Sequence, residues 1–315
     1  MRIVALIPGT IGDQILFFPT LDDLKRVYPD AQINVVVEPS AKAAYRVCTS
    51  VTDAIAFDFK DRNSLADWGN LIGLLRDREY DIAISPKQQS LPNFLLWLTG
   101  IPTRVGYKGK GAIFLTSAVP LKSGQYPAAS YHDLLQGLGI NSPVPELNIN
   151  VPSLDITWSE KEQKRLGIHE SGYVAIYDTS SLLPGINKTY PVASWLQIVQ
   201  SLQEKQPNLP VVVIQDINNE PFVRSMLASN PELKVTFPED IGKLAATIAS
   251  ANLMVCTDSA PMYLALAVQT YTVAILGLTE PEKLLQSDRL VAIKSPTGKM
   301  ADISPQTVMQ SIWGQ

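Results

Sequence analysis

Short runs rich in valine and isoleucine alternate with longer windows of helical spacing along the whole chain. No other feature constrains the fold as much, because strands alternating with helices imply βαβ units and parallel sheets. In the first half the strands read as Arg2 to Ile7, Gln32 to Glu38, Ala54 to Asp58, Asp81 to Pro86 and, more weakly, Thr103 to Lys108. Helical windows such as "ILFFPTLDDLKRVY" and "LADWGNLIGLLRDR" lie between them. The Pro-, Asn- and Ser-rich stretch "NSPVPELNINVPSLDIT" then gives way to the charged helical window "SEKEQKRLG" and reads as a linker, with a boundary near residue 152. Beyond it the alternation restarts with Tyr173 to Asp178, Pro210 to Asp216, Lys234 to Pro238, Leu253 to Asp258 and Tyr271 to Gly277. The helical windows there are "VASWLQIVQSLQEK", "IGKLAATIASA" and "PMYLALAV".

A chain of 315 residues exceeds what one hydrophobic core usually serves. The expectation is therefore two doubly wound domains, residues 1–152 and 153–315. Ligands of such sheets bind beyond the C-terminal ends of the strands, so the chemistry is sought in a crevice between those ends. With 46% hydrophobic and 18% charged residues and a net charge of −4, the chain has no basic face for nucleic acid. Cys48 and Cys256 stand far apart, read as buried thiols rather than a disulfide framework, and fit a reducing cytoplasm. The apolar run opening the chain is too short for a signal peptide, and no stretch of about 20 apolar residues could span a bilayer.

Two local patterns carry chemistry. The first, "IPGTIGDQILFFPTL", sets Gly9, Gly12 and the carboxylate of Asp13 at the first strand-to-helix turn, without the third glycine of a dinucleotide fingerprint. The second, "TDSAPMYLALAV", offers Asp258 and Ser259 as N-cap residues and Pro261 in a first helical turn. A helix start of that kind attracts phosphate through its free N–H groups, and simple capping explains the same residues.

The stretch "TDSAPMYLALAVQTYTVAILGLTEP" resembles the C-terminal motif of glycosyltransferase family 9, the ADP-heptose:lipopolysaccharide heptosyltransferases. "GTIGDQILFFPTLDDLKRVYPDAQI" resembles that family's opening segment, and "RVGY" with "YHDLLQGLGI" resembles its middle. The resemblance implies a GT-B fold of two Rossmann-like domains, the first on the acceptor side and the second binding the donor. It also implies inverting, metal-independent transfer from a nucleotide-sugar, which is a substrate and not a cofactor, with ADP-sugars the family's donors. The absence of D-x-D and the presence of only His132 and His169 suggest no metal site either.

By this resemblance Asp13 is the base that takes the acceptor's proton, whereas on local grounds it caps a helix beginning near Gln14. Lys188 in "NKTYP" would meet the donor diphosphate, and Glu220 the ribose; their plain alternatives are a solvated loop lysine and a helix-start carboxylate. Arg104 would meet an anionic acceptor, or else serve a structural ion pair. Asp258, Ser259, Ala260 and Tyr263 complete the donor side. Several positions depart from the family: Ala260 replaces a glycine, Tyr263 a histidine, and "QTY" at Gln269 a G-x-P turn. "YDTS" replaces an "HPG"-like loop and sets Asp178 where phosphate is expected. The reading is a cytoplasmic monomer acting at the inner membrane face on a glycolipid, lipopolysaccharide or surface polysaccharide. The alternative is a non-catalytic relative that binds glycans or serves as a scaffold.

Overall fold

The computed structural model describes residues 1–59, 63–88, 90–179, 189–281, 284 and 287–314. The chain divides into two compact units, Met1–Asn148 and Ile149–Gln315. The stretch 141–152 holds no helix or strand.

The first unit contains strands β1 (Arg2–Ile7), β2 (Gln32–Val37), β3 (Asp53–Ala56), β4 (Ile82–Ser85), β5 (Thr103–Tyr107) and β6 (Ser117–Val119). They form one parallel sheet in the order β3-β2-β1-β4-β5-β6. Its helices are α1 (Ile11–Val27), α2 (Leu65–Asp77), α3 (Ser90–Thr99) and α4 (Pro127–Asp133). Residues 3–7 and 33–37 are buried throughout, as expected for central strands covered on both faces by crossover helices.

The second unit repeats the plan with β7 (Val174–Tyr177), β8 (Val211–Ile214), β9 (Lys234–Thr236), β10 (Leu253–Thr257), β11 (Thr272–Leu276) and β12 (Leu290–Lys294). Their order is β12-β11-β10-β7-β8-β9, again parallel. The helices are α5 (Ser153–Leu166), α6 (Val192–Lys205), α7 (Glu220–Ser229), α8 (Ile241–Ala249), α9 (Ala260–Ala267) and α10 (Pro305–Trp313). Numbered within each unit, both sheets run 3-2-1-4-5-6, the doubly wound order whose direction of winding reverses between the first and fourth strands.

The sequence expectation thus holds for the fold class, with specific differences. The sixth strand of each sheet was not expected. β6 has only three residues, and β12 is half exposed, so neither shows the buried apolar run of a central strand. Helix α1 starts at Ile11 instead of near Gln14, which puts Asp13 inside its first turn. Helix α5 begins at Ser153, within the stretch read as linker. Both cysteines are free; Cys256 is buried, whereas Cys48 is only partly so. Among the described residues no helix is long and apolar enough to cross a membrane.

Candidate functional site

In the first unit the reversal point lies between β1 and β4, and the loop leaving β1 carries Gly9 and Thr10 into α1. Asp13 Oδ2 accepts from the Thr10 backbone N–H at 2.7 Å and from the Thr10 hydroxyl at 2.8 Å. The carboxylate therefore closes a capping box with Thr10, which answers the local reading of the motif. Gly9 is required by close approach: a Cβ there would sit 2.6 Å from Asp13 Oδ2 and 2.8 Å from Asp13 Cγ. Gly12 lies buried in the first turn of α1. Beneath the loop, buried Gln14 donates to Ile7 O at 3.0 Å and accepts from the Tyr45 hydroxyl at 2.7 Å, fastening α1 to the end of β1.

Capping occupies one oxygen only. Asp13 Oδ1 faces the Tyr131 hydroxyl, a long hydrogen bond of 3.4 Å. Burial first, and then the adjacent Asp13 charge, push the Tyr131 phenol up, so it is a neutral donor. The Tyr131 ring also packs 5.4 Å from Phe17. The next residue of α4, His132, is buried and hydrogen bonded at 2.9 Å to buried Asp23, about 15 Å further along α1. Burial works against the Asp23 charge, but donors from Ser142, Arg26 and His132 hold its carboxyl below the usual range. This buried cluster docks α4 on α1 and thereby sets Tyr131 against Asp13. Tyr131 and His132 both stand in "YHDLLQGLGI", yet no local pattern pairs Tyr131 with Asp13, because the contact joins elements more than a hundred residues apart.

In the second unit the reversal point lies between β7 and β10. Asp178, directly after β7, is only 1% exposed. Its Oδ2 accepts from the Tyr190 backbone N–H at 3.0 Å and Trp195 Nε1 at 2.9 Å, and its Oδ1 accepts from the Thr257 hydroxyl at 3.0 Å. Thr257 Oγ1 in turn accepts from the Thr179 N–H at 3.2 Å. Burial pushes the Asp178 carboxyl up to about 6 despite these donors. The expectation that Asp178 would oppose a bound phosphate is therefore corrected: the carboxylate turns inward and ties β7, β10 and α6 together. Buried Asn219 closes the same corner, donating to Asp178 O at 3.1 Å and Ile214 O at 3.0 Å.

After β10, Asp258 accepts from the Thr279 hydroxyl at 2.6 Å. Ser259 occupies the N-cap position of α9, but its hydroxyl donates back to Thr257 O at 2.9 Å instead of capping the helix. The side-chain cap expected of Ser259 is thus absent. Ala260 and Tyr263, both half-buried, stand in the first turn of α9. The turn replacing the family's G-x-P forms regardless of sequence: Gln269 adopts φ 62°. Its N–H donates to Leu266 O at 3.1 Å and that of Thr270 to Ala265 O at 2.9 Å, the pairing of a Schellman motif that normally has glycine at this position.

Other expected site residues are not gathered here. Arg104 is engaged by backbone of its own unit: its Nε donates to Phe114 O at 2.8 Å and its Nη1 to Ile101 O. It pairs in register with Ala83, which in turn pairs with Val4, so it lies several residues short of the strand ends that carry the Asp13 loop. Among the described residues it has no ion pair; backbone carbonyls hold it. Glu220 opens α7, is exposed and pairs with Arg224 one turn on, as a helix-start carboxylate would. Lys188 lies outside the described residues. Among the described residues no cluster of three or more His, Cys, Asp or Glu side chains could hold a metal ion.

Comparison with known proteins places this geometry. Lipopolysaccharide heptosyltransferase 3 of Escherichia coli is 25% identical over 85% of this chain and 81% of its own length. A photosynthetic NDH subunit of subcomplex B 1 of Arabidopsis thaliana, chloroplastic, is 23% identical over 99% of this chain and 73% of its own length. The solved structure of the E. coli ADP-heptose lipopolysaccharide heptosyltransferase II superposes with a TM-score of 0.81 at 18% identity, covering 100% of this chain and 98% of that one, and so shares the fold. The model of glycosyltransferase family 9 (heptosyltransferase) matches residues 68–312, and the chain belongs to that family.

Proposed function

We propose that the chain moves a sugar from a nucleotide-diphosphate donor, of the ADP-sugar kind, to a hydroxyl of a lipopolysaccharide or related glycolipid, with inversion and without a resident metal. The observation that carries this reading is the division of labour at Asp13. Oδ2 is held by Thr10, which fixes the carboxylate, while Oδ1 has, among the described residues, only the long contact to Tyr131 and stays available to a substrate hydroxyl. The acceptor oxygen attacks the anomeric carbon as its proton passes to Asp13, and the bond to the diphosphate breaks with its electron pair leaving on phosphate oxygen. In the second unit the α9 N-terminus and Lys188 would offset that charge. Support comes from the family membership and from the names of the E. coli proteins, one a lipopolysaccharide heptosyltransferase and the other an ADP-heptose transferase. The Ala260 methyl and the uncharged Tyr263 point to a donor preference different from the family's. Work on a lipid-borne acceptor implies peripheral contact with the cytoplasmic membrane face. The test is Asp13→Asn, which should lower turnover by about 10²–10⁴-fold with donor affinity intact by calorimetry. Transfer at the parental rate would refute the assignment.

One observation favours a second reading, a non-catalytic family relative acting as a binding or scaffolding protein. The Arabidopsis relative that aligns with nearly the whole chain is named as a subunit of a photosynthetic complex. A thermal-shift panel of ADP-, UDP-, GDP- and CDP-sugars separates the two, since a ligand at 100 times its dissociation constant stabilises the native state by about 2.7 kcal/mol. Silence across the panel would select the second reading.

A further inference from the structure

Helix α3 carries no charged residue, and its outward face is as apolar as its buried one. Leu95, Leu96 and Asn93 face inward, while Leu91 and Trp97 are each 50% exposed and Leu98 is exposed beside them. The turn Ala112–Phe114 extends this surface: Ile113 is 80% exposed, and the Phe114 ring lies 5.1 Å from Phe94 and 6.2 Å from Trp97. A surface helix ordinarily turns polar residues to water, and a contiguous exposed apolar patch marks a partner or a membrane.

The surrounding charge identifies which. Between Asp81 and Asp133 the sequence contains no aspartate or glutamate, yet it contains Lys87, Arg104, Lys108, Lys110 and Lys122, in a chain whose net charge is −4. Arg104 is engaged by carbonyls and Lys122 pairs with Asp133 at 2.8 Å. Lys87, Lys108 and Lys110 have no ion pair among the described residues. Gln88 donates to Lys108 O at 3.2 Å and Asn93 to Gly111 O at 3.4 Å, which fastens the lysine loop alongside α3. Gln88, Leu91 and Lys110 line one shared concavity. Aromatic and aliphatic side chains beside lysines suit the headgroup region of an anionic bilayer.

We propose that the outward face of α3 and the Ile113 turn, with Lys87, Lys108 and Lys110 beside them, form a docking surface for an anionic lipid bilayer. It deepens the proposed function, on whose lipid-borne acceptor it rests for its purpose, by naming the surface that meets the membrane. Binding itself needs no donor and no turnover.

The experiment is flotation of the full chain with vesicles of phosphatidylcholine alone or mixed with phosphatidylglycerol. The parent should float with the mixed vesicles, less so as salt is raised, and hardly at all with phosphatidylcholine. Trp97→Ser with Ile113→Ser, and separately Lys108→Glu with Lys110→Glu, should each cut binding by about ten-fold or more while the chain stays folded by circular dichroism at the assay temperature. Asp13→Asn should float like the parent, so a failure of catalysis is told apart from a failure of docking. No flotation with anionic vesicles, or equal flotation of parent and surface variants, would overturn the proposal. So would a parent dimer in light scattering that the Trp97 and Ile113 changes convert to monomer, since the face would then join two copies of this chain.

Discussion

Asp178 should make this protein less stable as pH rises from acid toward neutral, and one substitution isolates the effect. In the folded chain burial raises its carboxyl to about 6, from 3.8 when free. Below the unfolded value both states are protonated and the group contributes no penalty. Between the two values the unfolded chain loses the proton while the folded one keeps it, so stability declines, and above about 6 the loss is complete. A shift of roughly two units corresponds to about 3 kcal/mol, of which about 2 kcal/mol falls between pH near 4.5 and pH near 7.5. Asp178→Asn removes the titration and preserves shape. Its amide oxygen can still accept from Tyr190 and Trp195, and its amide nitrogen can donate to Thr257 Oγ1, whose hydroxyl is free to turn. Urea unfolding of both proteins across this pH range, taken as a difference, cancels every other titrating group. The parent's advantage should grow by about 2 kcal/mol on acidification over that range. Asp178→Ala, which strands three donors, should instead cost about 3 kcal/mol or more at every pH. A pH-independent difference between parent and Asp178→Asn would show that the carboxyl does not titrate where its burial places it.

The other predictions concern the two loops and the sheet edge. Tyr131→Phe removes the donor facing Asp13 Oδ1 and should lower turnover with donor affinity unchanged; turnover at the parental rate would make Tyr131 a packing residue only. Gly9→Ala pushes a methyl into the Asp13 carboxylate, so calorimetric unfolding should show a loss of about 0.5–2 kcal/mol from the broken cap, with turnover falling as for Asp13→Asn. Gln269→Gly relieves a left-handed residue costing roughly 1–2 kcal/mol, less glycine's own entropy of roughly 0.5–1 kcal/mol, for a net gain of about 0.5–1 kcal/mol in urea unfolding. Arg104→Met should cost about 1–3 kcal/mol through its orphaned carbonyls and leave the acceptor KM unchanged.

The sequence by itself determined the fold class, because strands covered on both faces must be apolar along their length and crossover helices must separate them. "RIVALI" and "YVAIYD" therefore announced the central strands of two sheets. It also exposed the Asp13 loop, since a carboxylate between two glycines at a strand end is a local pattern. The edge strands β6 and β12 escaped it, whereas the opposite edges, β3 and β9, were legible; β6 is only three residues long and β12 is half exposed. What only the tertiary structure decided is which way side chains turn. Asp178 read as a carboxylate facing a ligand, but Trp195 and Thr257, from α6 and β10, supply the donors that draw it into the core. Arg104 read as the partner of an anion, in an acceptor or in a structural ion pair, and the structure sets it against the carbonyls of Ile101 and Phe114. Tyr131 had no assigned role until His132, locked on Asp23, brought its hydroxyl to Asp13. Hydrogen bonds across such distances in sequence leave no periodic trace in the chain, because their partners meet only after the sheets and helices have packed.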